Sequence, residues 1–337
     1  MNKVSVGIVG AGVIAKNMHL PILLSMQNVN VAWLTDADSV RGKQVADAYR
    51  VPYVELPASP RDLPECDVVL LAIPLVPRRL YYEQLAARGT AVMAEKPFAI
   101  NNQDHKIFQR LFESHKIACV YQRRTYATNR LLRKIVEEEW FGRLHGISIF
   151  EGGRTTKTGV DQSYQDLSIK DGGGILINLG CHVIDLAFFI TGAKGYSLSK
   201  SDIVFDGDTD RKACGEIILL DLNARSGRQC PFKFCVSWLD YQPNTIELEF
   251  ENVNIVCPIS PNGKIDVRMN GKSHSMAKLE PKENDGASTI NQAFFIEWDE
   301  FLRGFRECRP SMLSPEESEI TSELIDDLHV MHRKVGK

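Results

Sequence analysis

Three groups of residues in this 337-residue chain have the types and spacing for chemistry. Asn178, His182 and Asp185 recur four and then three positions apart within an apolar stretch, a spacing that puts all three on roughly one face of a helix. An unperturbed histidine titrates near ~6.5, which suits reversible proton exchange with a hydroxyl at neutral pH. Asn178 can orient such a ring or bind a hydroxyl, but it cannot take the proton. Lys96 follows an apolar strand ending near Ala94, at the carboxyl edge where doubly wound folds bind ligands. Its ammonium could polarise a carbonyl or stabilise an alkoxide. Taken singly, such a lysine is more often a solvated surface group and such a histidine a satisfied core residue; the order of motifs along the chain decides between these readings.

The third group is Gly10-Ala11-Gly12-Val13-Ile14-Ala15, directly after a strand and opening a helix. Gly10 permits a tight turn, Gly12 lets the backbone approach a pyrophosphate, and Ala15 still allows close helix–sheet packing. The N–H groups of Val13 and Ile14 begin the helix, whose positive end favours phosphate. Asp36 stands 36 minus 15, or 21, positions beyond Ala15, near the ~20-residue spacing of the acid that binds the ribose hydroxyls. Its charge repels a 2′-phosphate and favours NAD, while Arg41 keeps NADP open. A methyltransferase shares this constellation, so the glycine turn alone does not establish redox chemistry.

Positioning these groups requires two kinds of sheet. Residues 3–9 and Val29–Thr35 read as strands around a helix at Ile14–Met26. Strands at Val68–Ile73, Ala91–Ala94 and Ala118–Tyr121 then alternate with helices at Val40–Tyr49, Arg79–Arg88 and Asn102–His115. This alternation predicts a Rossmann doubly wound parallel sheet over residues 1–122. From residue 123 to 337 a helix at Arg130–Glu139 leads into strands at Ile147–Glu151, Glu216–Asn223, Phe232–Trp238, Thr245–Phe250 and Val253–Cys257. These predict a mostly antiparallel open-sheet substrate and oligomerisation domain, an α+β half joined to an α/β half. Helices at Gly174–Thr191, Asn291–Arg303 and Pro315–Arg333 complete it, the last two packing back on the first domain, with Lys278–Ser288 a surface loop.

Bulk properties exclude several classes. With 44% hydrophobic residues, a net charge of −3 and a pI near 6.3, the chain has no basic footprint for nucleic acid or an anionic membrane. The apolar N-terminus superficially imitates a signal peptide, but its glycines fit a nucleotide turn better. No stretch approaches the ~18 apolar residues of a membrane span. Eight cysteines without a C-x-x-C pair read as reduced thiols of a cytoplasmic protein.

Glu95-Lys96-Pro97 and the later run Gly172-Gly173-Gly174-Ile175-Leu176-Ile177-Asn178-Leu179-Gly180-Cys181-His182-Val183-Ile184-Asp185, following the glycine turn, resemble the glucose-fructose oxidoreductase, inositol dehydrogenase and MocA family. The resemblance runs from Val4 through the C-terminal helices. It implies Lys96 beside a nicotinamide, His182 beside a substrate hydroxyl, a cis bond before Pro97, and cofactor contacts from Ala72, Pro74, Glu95 and Pro97. It also implies a homodimer or homotetramer. The family commonly has Asp four residues before the histidine, where this chain has Asn178, so a charged partner for the ring is missing.

The implied activity is hydride transfer between nicotinamide and a ring hydroxyl or ketone of a sugar, sugar acid, nucleotide sugar or cyclitol, with His182 as acid/base and Lys96 as electrostatic helper. A redox-neutral enzyme with retained NAD, assisting elimination or glycosidic cleavage, and a catalytically silent dinucleotide sensor are the alternatives. Arg124 resembles a substrate-reaching arginine, and Tyr126 takes over contacts where Thr125 and Ala127 depart from the family's aromatic and proline. Arg78, where the family frequently has histidine, joins Arg79 and Arg154 in hinting at an anionic substrate. His19 is a further candidate near the cleft. Phe232, Phe234 and Trp238 suggest an apolar sheet face covered by a second copy, and Trp238 with Tyr241 could stack on a sugar. No metal site is expected, since His329, His332 and Asp326 lie on a charged terminal helix.

Overall fold

The structure, a computed structural model, describes residues 3–154, 167–223, 228–270, 275–282 and 285–335. Two units divide the chain: Met1–Tyr121 with Phe294–Glu319, and Gln122–Ala293 with Ile320–Lys337.

The first unit is built on five parallel strands, β1 (Val4–Val9), β2 (Val29–Thr35), β3 (Val68–Leu71), β4 (Ala91–Ala94) and β5 (Ile117–Cys119), in the order β2-β1-β3-β4-β5. β3 and β4 are buried throughout and read as unbroken apolar runs, because both faces of a parallel sheet are covered. The helix Ser39–Tyr49 starts on Asp38, whose side chain accepts from the Arg41 N–H at 3.1 Å. The helix expected at Arg79–Arg88 begins earlier, at Leu75; Pro77 falls in its first turn, where a missing N–H costs nothing. The one expected at Asn102–His115 ends at Gln109. Phe294, Trp298, Phe301 and Leu302 of the helix Ile290–Glu307 join Ile8, Leu20 and Leu34 in one core.

The second unit carries an eight-stranded sheet: β6 (Leu144–Gly152), β7 (Gly195–Asp206), β8 (Thr209–Leu220), β9 (Gln229–Ser237), β10 (Thr245–Phe250), β11 (Val253–Pro258), β12 (Ile265–Met269) and β13 (Ser275–Leu279). Its order is β13-β12-β11-β10-β6-β9-β8-β7, antiparallel apart from the β6–β9 pair. Strands β7, β12 and β13 escape sequence reading, since their polar residues hide the alternation. Lys278 and Leu279, expected in a loop, close β13, and residues 283–284 of that segment lie outside the described residues.

Two expectations are corrected here. Phe232, Phe234 and Trp238 are buried within the chain itself. Alternation along β9 points both phenylalanines to the same face, Gly215 lies against Phe234 and Leu328, and Trp238 sits beneath the Arg211 guanidinium, so these rings form no free apolar face. Cys214 and Cys235 stand directly opposite on β8 and β9, with Cα atoms 4.1 Å apart, and form a disulfide rather than two thiols. Their sequence separation of 21 gives no sign of this pairing.

Gly7, inside β1, is where the Trp33 indole of β2 lies over the backbone. A Cβ there would stand 2.1 Å from the ring. Gly7→Ala must displace a buried indole, and we expect the thermal midpoint to fall by about 4 °C or more, corresponding to ~2 kcal/mol of overpacking, measured by calorimetry.

Candidate active site

In the first unit, candidate residues collect at the carboxyl ends of the strands. Gly10, just past β1, has φ +103°, and a Cβ would meet the Ala72 carbonyl oxygen at 2.3 Å, so the turn admits only glycine. Around Gly12 nothing lies within 4 Å of a Cβ position. That open space above a helix start fits a pyrophosphate. The helix opens with a π turn at Ala15–His19, an irregularity that recurs at functional sites. Val13 is exposed and Ile14 half-buried.

Asp36 is nearly buried and engaged on both oxygens. Oδ2 accepts from the Ala11 N–H at 2.6 Å, and Oδ1 from the Asp38 N–H at 2.7 Å and the Arg41 guanidinium at 2.6 Å. The carboxylate therefore fixes the glycine turn. Arg41 stays half-exposed, its charge favoured by the hydrogen bond to Asp36.

Ala72 and Pro74 follow β3, Ala72 donating its N–H to Val9 at 2.9 Å and Pro74 heading the next helix. Glu95, Lys96 and Pro97 follow β4, and the Lys96–Pro97 bond is cis. Arg78 ties these segments together. Only 2% exposed, it donates from Nε and Nη2 to the Ile73 carbonyl at 2.9 and 2.8 Å. From Nη1 it donates to the Pro97 carbonyl at 2.7 Å and to that of Glu95. The reading of Arg78 as a charge offered to an anionic substrate is thus corrected: its donors are spent on the backbone. Arg79 is exposed and paired with Asp104 at 2.9 Å. Burial pushes the Glu95 carboxyl up, but the hydrogen bond to His19 and the nearby charges of Lys96 and Arg78 outweigh it and hold the carboxyl below its ordinary range.

The second unit positions the remaining candidates. Asn178 lies in a π turn, Leu176–Gly180, that runs into the helix Cys181–Thr191 carrying His182 and Asp185. All three are buried. The wider turn alters the simple four-residue register read from the sequence. The start of this helix is held from another strand: Asp210 of β8 accepts the Leu176 N–H at 3.3 Å and meets His329 Nε2 at 3.3 Å. Gly174, at φ +98°, lies so close that a Cβ would stand 1.6 Å from Asp210 Oδ1. Nothing in the sequence spacing marks Asp210.

Arg124 is buried, and its fork grips Asp185, with Nε donating to Oδ2 at 2.9 Å and Nη2 to Oδ1. Its neighbour Arg123 grips Glu151 in the same manner, both bonds 2.7 Å. Burial works against the Arg123 charge, yet the charge and hydrogen bonds of Glu151 more than offset it and hold the guanidinium above its usual value. Tyr126 is buried and its backbone bridges to Ala287. Arg154 is exposed and donates to the Leu239 carbonyl at 3.3 Å. Tyr241 is exposed while Trp238 is not. Among the described residues, no group of three or more His, Cys, Asp or Glu could hold a metal, and no helix is long and apolar enough to cross a membrane. His332 accepts the Ile203 N–H at 3.2 Å.

Residues 4–122 match the family model described as an oxidoreductase family with an NAD-binding Rossmann fold. No curated protein matches the chain in sequence. Similar solved structures include an aldose-aldose oxidoreductase from Caulobacter crescentus, complexed with glycerol (16% identity, 100% of this chain and 99% of that one, TM-score 0.80). The 3-ketoreductase KijD10 from Actinomadura kijaniata, with NADP and TDP-benzene, is another (16%, 98% and 98%, 0.78). A third is the WlbA dehydrogenase from Bordetella pertussis, with NADH and UDP-GlcNAcA (18%, 99% and 96%, 0.77). At these identities the likeness shows the fold.

The Arg124–Asp185 pair yields a test. Arg124→Met takes the guanidinium fork from a buried carboxylate and is expected to cost ~3–5 kcal/mol, whereas Arg124→Met with Asp185→Leu recovers most of that loss. Urea unfolding of the two variants checks this, and equal losses would show that the pair is not coupled.

Proposed function

We propose that the chain, whose residues 4–122 match the oxidoreductase family with an NAD-binding Rossmann fold, is a member of the glucose-fructose oxidoreductase, inositol dehydrogenase and MocA family, an NAD(P)-dependent enzyme moving a hydride between nicotinamide and a ring hydroxyl or ketone of a sugar or nucleotide sugar. The observation that carries this reading is Lys96 on the β4 end of a sheet whose β1 end carries the Gly10–Gly12 turn, with Asp36 bonded to that turn. The bound nicotinamide would accept or supply the hydride. Gly10, Gly12 and the helix start would take the pyrophosphate, and Asp36 the ribose hydroxyls. NAD is favoured by the Asp36 charge, with Arg41 admitting NADP.

Within the chain, His182 is the proton acceptor in oxidation and donor in reduction, Asn178 orients the ring or a hydroxyl, and the Lys96 ammonium stabilises negative charge developing on the substrate oxygen. Arg154 and Tyr126 are the proposed further substrate contacts, and Arg124 acts through Asp185. The similarly folded KijD10 and WlbA, solved with TDP-benzene and UDP-GlcNAcA, support the substrate class. A cytoplasmic homodimer or homotetramer completes the proposal; light scattering reads its mass.

The test is reduced-cofactor formation or consumption, followed by absorbance with NAD and NADP in parallel, over cyclitols, aldoses, sugar acids and nucleotide sugars. Lys96→Ala and His182→Ala should each lower kcat by about 10²-fold or more. Asp36→Ser should shift the kcat/KM ratio toward NADP by about tenfold or more, one phosphate–carboxylate repulsion being worth ~1.4 kcal/mol or more. Tight cofactor binding with no turnover on any member of the panel would sink the dehydrogenase reading.

A further inference from the structure

His19, Glu95 and Trp298 come from three distant parts of the sequence and meet in the interior of the first unit. His19 is fully buried, its Nε2 lies 2.8 Å from Glu95 Oε1, and the Trp298 indole donates its N–H to His19 Nδ1 at 3.0 Å. The imidazole edge also packs on Phe294, ring centroids 5.0 Å apart. On the far side, the second oxygen of Glu95 accepts the Lys96 backbone N–H at 3.2 Å.

An indole N–H can only donate, so Nδ1 must present its lone pair and the ring proton must sit on Nε2, directed at Glu95. A second proton on the ring would set two N–H donors against each other in a site without water-like freedom. The ring is therefore held neutral and in one tautomer. In that form it gives Glu95 a permanent donor. Without it, a nearly buried carboxylate would lose a hydrogen bond that opposes its desolvation and would take up a proton more readily.

We propose that His19 is a positioning residue for Lys96: Trp298 fixes its tautomer, the ring donates to one oxygen of Glu95, and the other oxygen holds the backbone N–H of Lys96. Glu95 thus joins the buried ring on one side to the backbone that carries Lys96 on the other, and Lys96 and Arg78 are the other charged groups near it. The inference rests on the role assigned to Lys96 above, and its test omits substrate so that the two can fail separately.

Long-range nitrogen–proton NMR spectra of the histidine rings, with His19 identified by its loss in His19→Gln, report the tautomer directly. The wild-type ring is expected to keep Nδ1 bare and Nε2 protonated from about pH 5.5 to 8.5, across the range where a free imidazole titrates. In Trp298→Phe, Nδ1 is released and the ring should take a second proton within that window. Lys96 is read by its rate of acetylation with acetic anhydride, by peptide mass spectrometry on the full chain. His19→Leu and Glu95→Gln should each change that rate by about threefold or more, because the backbone that aims the ammonium is released. The double variant should change it no further than the larger of the two single ones. His19→Gln, which keeps an acceptor for Trp298 and a donor for Glu95, should stay within about twofold of wild type. A wild-type ring protonated on Nδ1 overturns the proposal, as does unchanged Lys96 reactivity in folded His19→Leu and Glu95→Gln.

Discussion

A guanidinium buried beneath the ends of two parallel strands is the constraint on which the first unit's chemistry depends. Arg78 gives its donors to the carbonyls of Ile73, Glu95 and Pro97, which lie just past the ends of β3 and β4. Strand ends in an open sheet are where the ladder stops and carbonyls need other partners. A planar fork with five donors can serve several at once in a fixed geometry, which a lysine cannot. Lys96 thus projects from a backbone clamped on both sides, by Arg78 at the carbonyls of its two neighbours and by Glu95 at its own N–H.

The second unit solves the same problem with paired charges. The helix bearing His182 is secured at its start by Asp210, itself joined to His329, and at Asp185 by the Arg124 fork. Breaking one member of such a pair is expensive because the other remains buried. That cost fixes geometry even where the pair adds little net stability. Asp185 is thus held by both donors of the Arg124 fork, a structural occupation that accounts for its place on the helix that bears His182.

How far the sequence was legible follows from these residues. The glycine turn, Asp36 and the strand before Lys96 carry local signals, namely a turn that only glycine admits, a fixed spacing and an apolar run, and the parallel sheet stands where they indicated. The antiparallel domain was legible as a class, but β7, β12 and β13 were not, because half-exposed strands with Ser, Lys and Asp look like loops. Partners were harder still. Arg78 reads as a free surface charge until its carbonyls are seen, Trp298 lies 279 residues from His19, and Cys214 meets Cys235 only through strand register. Such contacts are tertiary, and no local period records them.

Glu95 is where the clamp on Lys96 and the buried histidine meet. One of its oxygens accepts the Lys96 backbone N–H, the other faces His19 Nε2, and the Trp298 indole occupies the second ring nitrogen. Under the proposed reaction, an ammonium held at this strand end favours an alkoxide over the alcohol during oxidation and polarises the carbonyl during reduction, so one fixed charge assists transfer in either direction. A second proton on His19 would set a ring N–H against the indole N–H, and one of the two hydrogen bonds on the ring would be lost. A neutral histidine in the core is therefore not a passive filler here but the donor that keeps Glu95 in place on the side away from Lys96.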